Sequence, residues 1–450
     1  MEKNIINQVK PFKALHYNPE KISNIGDCLT QPYDVISPEA QEKYYEKSPY
    51  NFIRLILGKI MEEDDEKSNR YTRAKAVLEE WRSQNILKLT DSTCFWIYEQ
   101  EFSLPGEGLR KVKGFIGRVK LHDYDEMKIL RHEKVLKGPL QDRIDLTKST
   151  NCQFEYIWGV YQDKEFTIDQ VLEKCTEKEP LIDYLEKPFM VRHKLWKLSD
   201  QKLCRIVEER MEALKIYIAD GHHRYATMLQ ISEDYRKANP HASCDAPWEY
   251  ILMFLVNSEH EGLTVLPTHR MLHSLNIENW EPVIKKLEKY FSIIKIAYGN
   301  NREAAQQEWL TSLCEGSPST FGLALKNHPH FYALKLKDYE AYDKLLKSSH
   351  SKDWKMLEVN VVNYLVLQEA LGISEEQLAQ NTNVKYVIDE KEGLNQVYSG
   401  AMEALVVLNR TSFQDVINVS NRKEMMPRKS TYFYPKPVSG LAMYPMDSQE

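Results

Sequence analysis

The sequence predicts a mixed α/β fold, and three local patterns indicate it. The stretch Leu214 to Leu229 changes at its middle from the alternation of a half-buried strand to the spacing of a helix. Two alternating runs, residues 95–102 and 112–121, flank a Pro-Gly-Glu-Gly turn, which favours a β-hairpin. Beyond about Ile277 amphipathic helices dominate. Strands and helices therefore share the chain, and no internal repeat is evident.

Length and composition are those of a globular protein with more than one domain. The chain has 450 residues, of which 42% are hydrophobic and 28% charged, enough for two or three domains. The formal net charge of -6 gives no overall attraction for nucleic acid. The segments after Arg270 also lack a concentrated Lys/Arg face, so we expect no DNA partner.

No run approaches the roughly 18 to 20 apolar residues that span a bilayer, and the N-terminal residues have no apolar signal region. We therefore expect a cytoplasmic protein with no membrane partner. The seven cysteines are scattered, odd in number and without a CxxC pair. This pattern favours reduced, mostly buried thiols over a redox or zinc role.

The central motif is the turn Asp220-Gly221-His222-His223-Arg224 between the predicted strand and helix. A strand that turns on glycine and opens a helix directs backbone N–H groups outward, and the helix dipole favours an anion there. The planar, permanently charged guanidinium of Arg224 suits a phosphate group. The turn is therefore predicted to bind phosphate.

The same motif could instead hold a metal ion, with Asp220, His222 and His223 joined by His132 or His269. Adjacent residues rarely face one ion together, and the histidine pair lacks the i, i+4 spacing that puts two rings on one helical face. Phosphate is therefore favoured over a metal centre, which stays as the alternative.

A second dense stretch, Arg131 to Lys148, surrounds a Gly-Pro break. Ionisable groups crowded near a forced turn suit an anion-binding loop that leads into a helix. The candidate residues here are His132, Glu133, Lys134, Gly138, Asp142 and Arg143.

The N-terminal region predicts a helix over residues 38–47, because Ser37 is a good N-cap and Pro38 suits the first helical position. Asp34 lies just before this helix in a rigid loop, where it either caps the helix or serves as a base. Residues 51–57 form an apolar run, a buried strand or a short helix, interrupted by Arg54. A salt bridge is the simplest account of that arginine.

The remaining elements follow from hydrophobic spacing. Predicted helices cover residues 71–85, 200–214, 280–290, 302–313 and 357–371, with a helical connection over 166–185 and a capping box at Ser374. Predicted strands cover 153–161, 194–198, 248–256, 263–268, 384–388 and 404–408, with a hairpin of 320–325 and 330–336. The strand ending at Thr268 is followed by His269 and Arg270, a third polar cluster.

Several runs spread along the chain resemble the bacterial "domain of unknown function 1015" family. They are Pro32 to Ser37, Ser48 to Leu55, His132-Glu133-Lys134 with Gly138-Pro139, and Lys429 to Phe433. The motif DGHHRY after a strand resembles the nucleotide-phosphate motif of the ParB/sulfiredoxin-like superfamily, whose SerK-type members are free serine kinases. The resemblance implies a ParB/SerK-like nucleotide-binding core with N-terminal and C-terminal α/β elaborations.

On this basis we expect an N-terminal segment (residues 1–90) packed on a nucleotide-binding core (91–275). A C-terminal α/β domain (276–450) then follows, with a tail that returns to the core. The expected activity is phosphate transfer from ATP or ADP, with Mg²⁺, to a small hydroxylated metabolite, for which the resemblance suggests free L-serine. A metal-dependent phosphatase and a ParB-like regulatory protein without kinase activity are the alternatives. A homodimer is kept as a partner hypothesis.

The predicted roles divide the candidate residues into three groups. Asp34 is the first candidate for the base and Glu133 the second, while Asp220 would orient His223 or a magnesium-bound water. Phosphate and nucleotide contacts are expected from Gly221, His222, His223, Arg224, His132, Lys134, Gly138 and Arg143. Substrate-binding or supporting roles are expected for Tyr33, Asn51, Arg54, Asp142, Thr268, His269, Arg270 and Lys429.

Overall fold

The computed structural model describes residues 8–135, 138–187, 189–315 and 320–447. The chain divides into two compact units, with boundaries between Thr264 and Val265 and between Tyr434 and Pro435. The first unit therefore contains the chain up to Thr264 together with the C-terminal tail from Pro435. Residues 8–90 and 91–264 lie in the same unit, and the three-domain division predicted above stays a prediction.

The strands are short except in the hairpin of the first unit. They are β1 Val9–Lys10, β2 Leu15–Tyr17, β3 Leu87–Leu89, β4 Phe95–Leu104, β5 Gly108–Lys120, β6 Ile129–Leu130, β7 Cys152–Gln153, β8 Ile157–Tyr161, β9 Ile182–Glu186, β10 Val191–Leu198, β11 Ile216–Asp220, β12 Tyr250–Asn257, β13 Thr264–Leu266, β14 His269–Leu272, β15 Phe291–Ala297, β16 Thr320–Leu325, β17 His330–Leu336, β18 Val384–Val387, β19 Ala404–Val407, β20 Tyr432–Tyr434 and β21 Tyr444–Pro445.

The helices are distributed over both units. They are α1 Pro38–Lys47, α2 Ile53–Ile56, α3 Arg70–Ser83, α4 Gly138–Thr150, α5 Thr167–Thr176, α6 Gln201–Glu212, α7 His222–Ala238, α8 Glu281–Tyr290, α9 Arg302–Glu315, α10 Tyr339–Leu346, α11 Lys352–Lys355, α12 Glu358–Val361, α13 Glu375–Gln380, α14 Glu390–Tyr398 and α15 Phe413–Asn421. Short 3₁₀ turns cover Ile25–Asp27, Tyr33–Val35, Tyr124–Glu126 and Pro247–Glu249. Helix α12 continues with wider, π-helical hydrogen bonding over Val362–Ala370.

The first unit is built on a mixed sheet with the strand order β6-β11-β8-β12-β5-β4-β10-β9, and β1 pairs with β5. Strands β8 and β12 are parallel, whereas β11 is antiparallel to β8. Every residue of β8 and β12 is buried, which explains why both read as continuous apolar runs rather than alternating ones. Helices α4 and α7 pack against each other, and α3 packs against α4.

The second unit contains an antiparallel sheet with the strand order β15-β17-β16-β19-β14-β18. Successive residues of β17 enter different clusters, with Tyr332 and Leu334 in one and Phe331 and Ala333 in the other. Because side chains alternate across a strand, the sheet has an apolar core on each face. Helix α8 covers one face, and helices α9 and α14 cover the other.

Most predicted elements are present, with two corrections. The strand predicted over 153–161 is interrupted, because Cys152–Gln153 and Ile157–Tyr161 form separate strands. The connection 166–185 contains helix α5 only as far as Thr176, and strand β9 follows from Ile182. The side chains of β9 alternate in burial because the strand pairs with β10. Within the described ranges, no helix combines the length and apolar character required to cross a bilayer.

Candidate functional site

The strand-to-helix turn of the central motif has the predicted shape. Asp220 ends β11, Gly221 has a φ of 94°, and α7 begins at His222. A Cβ at position 221 would lie 3.1–3.2 Å from guanidinium atoms of Arg224. Glycine is therefore required both by the left-handed backbone and by the side chain that folds over it. The first bond of the helix runs from the N–H of Tyr225 to the Gly221 carbonyl at 3.0 Å, so the N–H groups of the opening turn precede the helical ladder.

Arg224 turns back onto the protein. Its Nη1 donates to the carbonyl of Tyr156 at 2.6 Å, and its Nη2 donates to Oδ2 of Asp220 at 2.8 Å. Burial disfavours its charge, yet Glu155, Asp220 and Asp34 together raise the pKa of Arg224 above its usual value. The guanidinium is therefore a fixed positive charge with protein acceptors. Its predicted direct contact with phosphate stays a prediction.

Asp220 is shared between two cations. Its Oδ1 accepts a hydrogen bond from Nζ of Lys436, and its Oδ2 accepts the one from Arg224. Burial alone would raise the pKa of Asp220, but these two cations hold that pKa well below its usual range. Asp220 is therefore an ionised, doubly paired carboxylate, and its predicted role in orienting His223 or a magnesium-bound water stays a prediction. Lys436 lies in the C-terminal tail and was not among the predicted site residues.

Glu155 is the second carboxylate beside Arg224, and sequence analysis missed it. Its Oε1 accepts hydrogen bonds from the Tyr33 N–H at 3.1 Å and from the Ser439 hydroxyl at 3.2 Å. Its Oε2 lies 3.7 Å from Nη1 of Arg143. Burial raises the pKa of Glu155, and the charges of Arg224 and Arg143 oppose that rise. The one signal in the sequence is a carboxylate between two aromatic residues, at the start of an otherwise apolar run.

Asp34 lies on the exposed side of this cluster. It belongs to the 3₁₀ turn Tyr33–Val35, and the Tyr33 ring is stacked 4.1 Å from the guanidinium carbon of Arg143. The side chain is exposed, and its charge contributes to the raised pKa of Arg224. Helix α1 is capped by Ser37, whose hydroxyl accepts the Ala40 N–H at 3.2 Å. The alternative in which Asp34 caps this helix is therefore wrong.

Arg143 extends the charges of the site towards α3. Its Nε donates to Asp142 at 2.7 Å, and its Nη1 donates to the carbonyl of Ile56 at 3.0 Å. Asp142 also accepts hydrogen bonds from Arg70 and from the Tyr71 hydroxyl. The alternating charges form one series, which we call the ion chain: Lys436, Asp220, Arg224, Glu155, Arg143, Asp142 and Arg70. It joins segments that lie far apart in the sequence.

A cavity of about 40 Å³ lies next to the ion chain and is lined in part by Arg143, Glu155 and Arg224. That volume accommodates water, whereas ligand pockets have volumes of roughly 300–1,000 Å³. The cavity itself is therefore too small for a nucleotide.

The histidines of the two motifs meet at the same turn. The rings of His132 and His222 are edge to face with centroids 4.7 Å apart, and the His132 N–H points to Nε2 of His222 at 3.5 Å. Nδ1 of His222 lies 3.9 Å from Glu133. Burial lowers the pKa of His132 to about 4 and holds that of His222 well below its usual value. Both rings are therefore neutral at pH 7, and because Nε2 of His222 faces a donor, its proton lies on Nδ1.

The side chains considered above as possible metal ligands do not form a metal centre. In the part of the chain that the structure describes, no three His, Cys, Asp or Glu side chains are grouped so that they could hold a metal ion. The metal-hydrolase alternative therefore has no ligand set in the described ranges.

Two predicted phosphate-binding residues lie near the start of α4. Lys134 is exposed, and Gly138 is the first residue of α4. Residues 136 and 137 between them lie outside the described ranges.

Asn51 and Arg54 support the N-terminal segment. The Asn51 amide donates to the carbonyl of Asp27 at 2.7 Å, and its oxygen accepts the Ile53 N–H at 3.0 Å. Arg54 donates to the carbonyls of Ser48 and Tyr45 at 2.9 and 3.0 Å. The salt bridge predicted for Arg54 is therefore wrong, because backbone oxygens satisfy the guanidinium instead.

Four candidate residues assemble within the second unit. Arg270 is buried and donates to the carbonyls of Thr268 and Lys429, the latter at 3.3 Å. Burial lowers the pKa of Arg270 to about 10. Nδ1 of His269 accepts the Leu408 N–H at 3.2 Å, whereas Lys429 is exposed. Their roles in substrate binding stay predictions.

The fold and the turn define a mixed α/β protein in which a glycine turn opens a helix beside the ion chain. The chain belongs to the family described as "Protein of unknown function (DUF1015)", which matches residues 9–361. That range covers the predicted site residues of the first unit, whereas Lys436 and Ser439 lie beyond it. No curated protein matches the chain.

Several solved structures are similar to this chain at low identity. A conserved hypothetical protein from Pyrococcus furiosus is 12% identical, with a TM-score of 0.32 over 69% of this chain and 88% of that one. A free serine kinase in complex with AMP is 11% identical, with a TM-score of 0.33 over 69% and 85%. SbnI with a C-terminal truncation, from Staphylococcus aureus, is 9% identical, with a TM-score of 0.32 over 74% and 90%. The ParB/sulfiredoxin-like identity of the core stays a prediction.

Proposed function

We propose that the protein is a nucleotide-dependent phosphotransferase that passes phosphate from ATP or ADP to a small hydroxylated metabolite. The observation that carries the proposal is that the N-terminus of α7 follows a glycine turn, and that the exposed carboxylate of Asp34 lies in the field of Arg224. Phosphoryl transfer needs fixed donors for the phosphates, positive charge and a carboxylate that accepts the hydroxyl proton. The site can supply each of these.

The donor phosphate binds at the start of α7. The N–H groups that open the helix and the positive end of its dipole favour an anion. The His222 ring is neutral and adds no charge of its own. Arg224 supplies a positive charge that does not depend on pH, because Asp220 and Glu155 keep it ionised. A Mg²⁺ ion held by the nucleotide phosphates would neutralise further charge during transfer.

The acceptor binds beside Asp34. Its hydroxyl oxygen forms the new bond to phosphorus, the bond to the leaving oxygen of the nucleotide breaks, and Asp34 takes the hydroxyl proton. Glu155 acts indirectly, because its hydrogen bond to the Tyr33 N–H fixes the turn that carries Asp34. Free L-serine is the acceptor that the family resemblance suggests. Glu133, which lies 3.9 Å from His222, is the second candidate for the base.

The direct test is incubation of the purified protein with ATP or ADP, Mg²⁺ and a pool of small hydroxyl compounds that includes L-serine. Mass spectrometry of the products then detects phosphorylated species. We expect one acceptor to gain a phosphate while the nucleotide loses one. Nucleotide that stays intact, or that is hydrolysed with every acceptor unmodified, contradicts the proposal.

A further inference from the structure

The second unit contains an open cavity of about 680 Å³ beside the hairpin of β16 and β17. This volume lies in the range of metabolite-binding pockets, roughly 300–1,000 Å³. The described residues that line it include one arginine, two histidines and two tyrosines, but no aspartate or glutamate. In a chain with 66 acidic residues, a cavity of this size without a carboxylate is electrostatically suited to an anion.

Arg302 is the positive charge of this cavity. Its guanidinium carbon lies 5.0 Å from the Tyr298 ring centroid and 4.5 Å from the Tyr398 ring centroid. The side chain is exposed, and it has no carboxylate partner among the described residues. Two tyrosine faces therefore hold the guanidinium in a fixed orientation while its N–H edge stays available to an acceptor.

The backbone around Arg302 is also ordered for this arrangement. Arg302 is the first residue of α9, and the Asn301 side chain accepts the Ala304 N–H at 3.0 Å. The Tyr298 N–H donates to the carbonyl of Pro329 at 2.9 Å, which ties the loop before α9 to the β16–β17 turn. The helix dipole at this end adds to the positive potential of the guanidinium.

Polar side chains complete the lining. The rings of His328 and His330 are 5.6 Å apart, and Nδ1 of His328 is 3.0 Å from the Tyr332 hydroxyl. Nδ1 of His330 and the Tyr398 hydroxyl are buried polar atoms without a hydrogen-bond partner in the described ranges. Buried polar groups are normally satisfied, so a ligand oxygen at this site would supply acceptors that the protein does not.

We infer that this cavity binds an organic oxyanion of metabolite size, with a phosphate or carboxylate group against Arg302. The inference concerns the second unit alone, and it does not depend on the proposed phosphotransferase activity. Inorganic phosphate is much smaller than the cavity and would occupy only its charged end.

Isothermal titration calorimetry of the full chain tests this inference. The probes are glucose 6-phosphate for the phosphate group, citrate for the carboxylate group, inorganic phosphate for the charged end alone, and uncharged glucose as the negative control. We expect saturable binding of glucose 6-phosphate or citrate, whichever carries the matching group, and none of glucose. Arg302→Gln should weaken that binding by at least about tenfold, because a charge-assisted hydrogen bond is lost.

The matched control is Arg422→Gln, which removes an exposed arginine of the same unit that pairs with Asp353 at 3.0 Å. It should leave binding unchanged, and circular dichroism should show both variants folded. Either of two results overturns the inference: neither glucose 6-phosphate nor citrate binds saturably, or Arg302→Gln binds as well as the natural chain. An equal loss in Arg422→Gln overturns it as well, because the binding would then follow overall charge.

Discussion

The backbone N–H of Tyr33 donates to Oε1 of Glu155 across 3.1 Å, although the two residues are 122 positions apart in the chain. The residues that follow these two in the chain, Asp34 and Tyr156, both interact with Arg224. Asp34 raises the pKa of Arg224, and the carbonyl of Tyr156 accepts from its Nη1 at 2.6 Å. One hydrogen bond therefore links the turn that carries the candidate base, Asp34, to the segment that contacts Arg224.

Glu155→Ala and Glu155→Gln separate this positioning role from stability. Both remove a buried charge that faces Arg143 and Arg224, so both should lower the free energy of unfolding, by about 3–5 kcal/mol on the scale of broken buried pairs. The glutamine oxygen can still accept the Tyr33 N–H, so turnover should fall about tenfold or more in the alanine variant and largely survive in the glutamine variant. Steady-state kinetics with denaturant melts distinguish the two effects. A loss of turnover that follows stability equally in both variants would assign Glu155 to the core alone.

Asp34→Asn should lower turnover by roughly a hundredfold or more and leave nucleotide affinity intact, because the amide cannot accept the acceptor proton. Stability should barely change, since the Asp34 side chain is exposed and Ser37 caps α1. The matched control is Ser37→Ala, which should cost about 1 kcal/mol of stability and preserve turnover. Near-natural turnover in Asp34→Asn at saturating nucleotide and acceptor removes Asp34 from the mechanism and makes Glu133 the next residue to test.

The buried histidine pair predicts a loss of stability in acid. Burial lowers the pKa of His132 from 6.5 to about 4 in the folded protein. The unfolded chain therefore takes up its proton first, and the stability contributed by the neutral ring is complete above pH 6.5 and is lost as the pH falls towards 4. The loss amounts to about 3 kcal/mol for this residue, and His222 changes in the same direction.

Urea melts between pH 7 and pH 4 measure this dependence. His132→Asn should flatten the curve, whereas His241→Asn, at an exposed position, should leave it unchanged. Equal slopes for the natural chain and His132→Asn would show that the folded protein binds protons at His132 as readily as the unfolded chain does.

Local patterns predicted the elements whose signals are complete within a few residues. Helix α1 begins at Pro38 because Ser37 and Pro38 supply the cap and the first turn, and the capping box at Ser374 is present before α13. The hairpin of β16 and β17 also has the predicted bounds, although most of its residues are buried because the sheet has an apolar core on each face. The turn at Gly221 was predictable because glycine is the residue type that adopts a left-handed φ most readily.

The parts that sequence reasoning missed depend on partners far away in the chain. Strand β9 lies within the predicted helical connection. The alternating burial of its side chains depends on its pairing with β10, which the local sequence does not reveal. Glu155 lies within the strand predicted over 153–161, but its partners, Tyr33 and Ser439, are far away in the sequence. Lys436 is 216 residues from Asp220, and no local pattern links a tail lysine to a strand end.

A comparison of two glycine variants tests most directly whether the turn at Gly221 holds the nucleotide phosphates. Gly221→Ala and Gly106→Ala each force alanine into a left-handed backbone, with φ of 94° and 77° respectively. Each should cost about 1 kcal/mol of stability. A methyl group at position 221 also meets Arg224 at 3.1–3.2 Å, whereas nothing lies within 4 Å of one at position 106.

The measurement is calorimetric titration of Mg²⁺-ATP and Mg²⁺-ADP into the natural chain and both variants. We predict saturable binding of at least one nucleotide to the natural chain and to Gly106→Ala, with a loss of about tenfold or more in affinity for Gly221→Ala. Saturable binding that Gly221→Ala retains in full, or no nucleotide binding by the natural chain, would contradict a phosphate site at this turn.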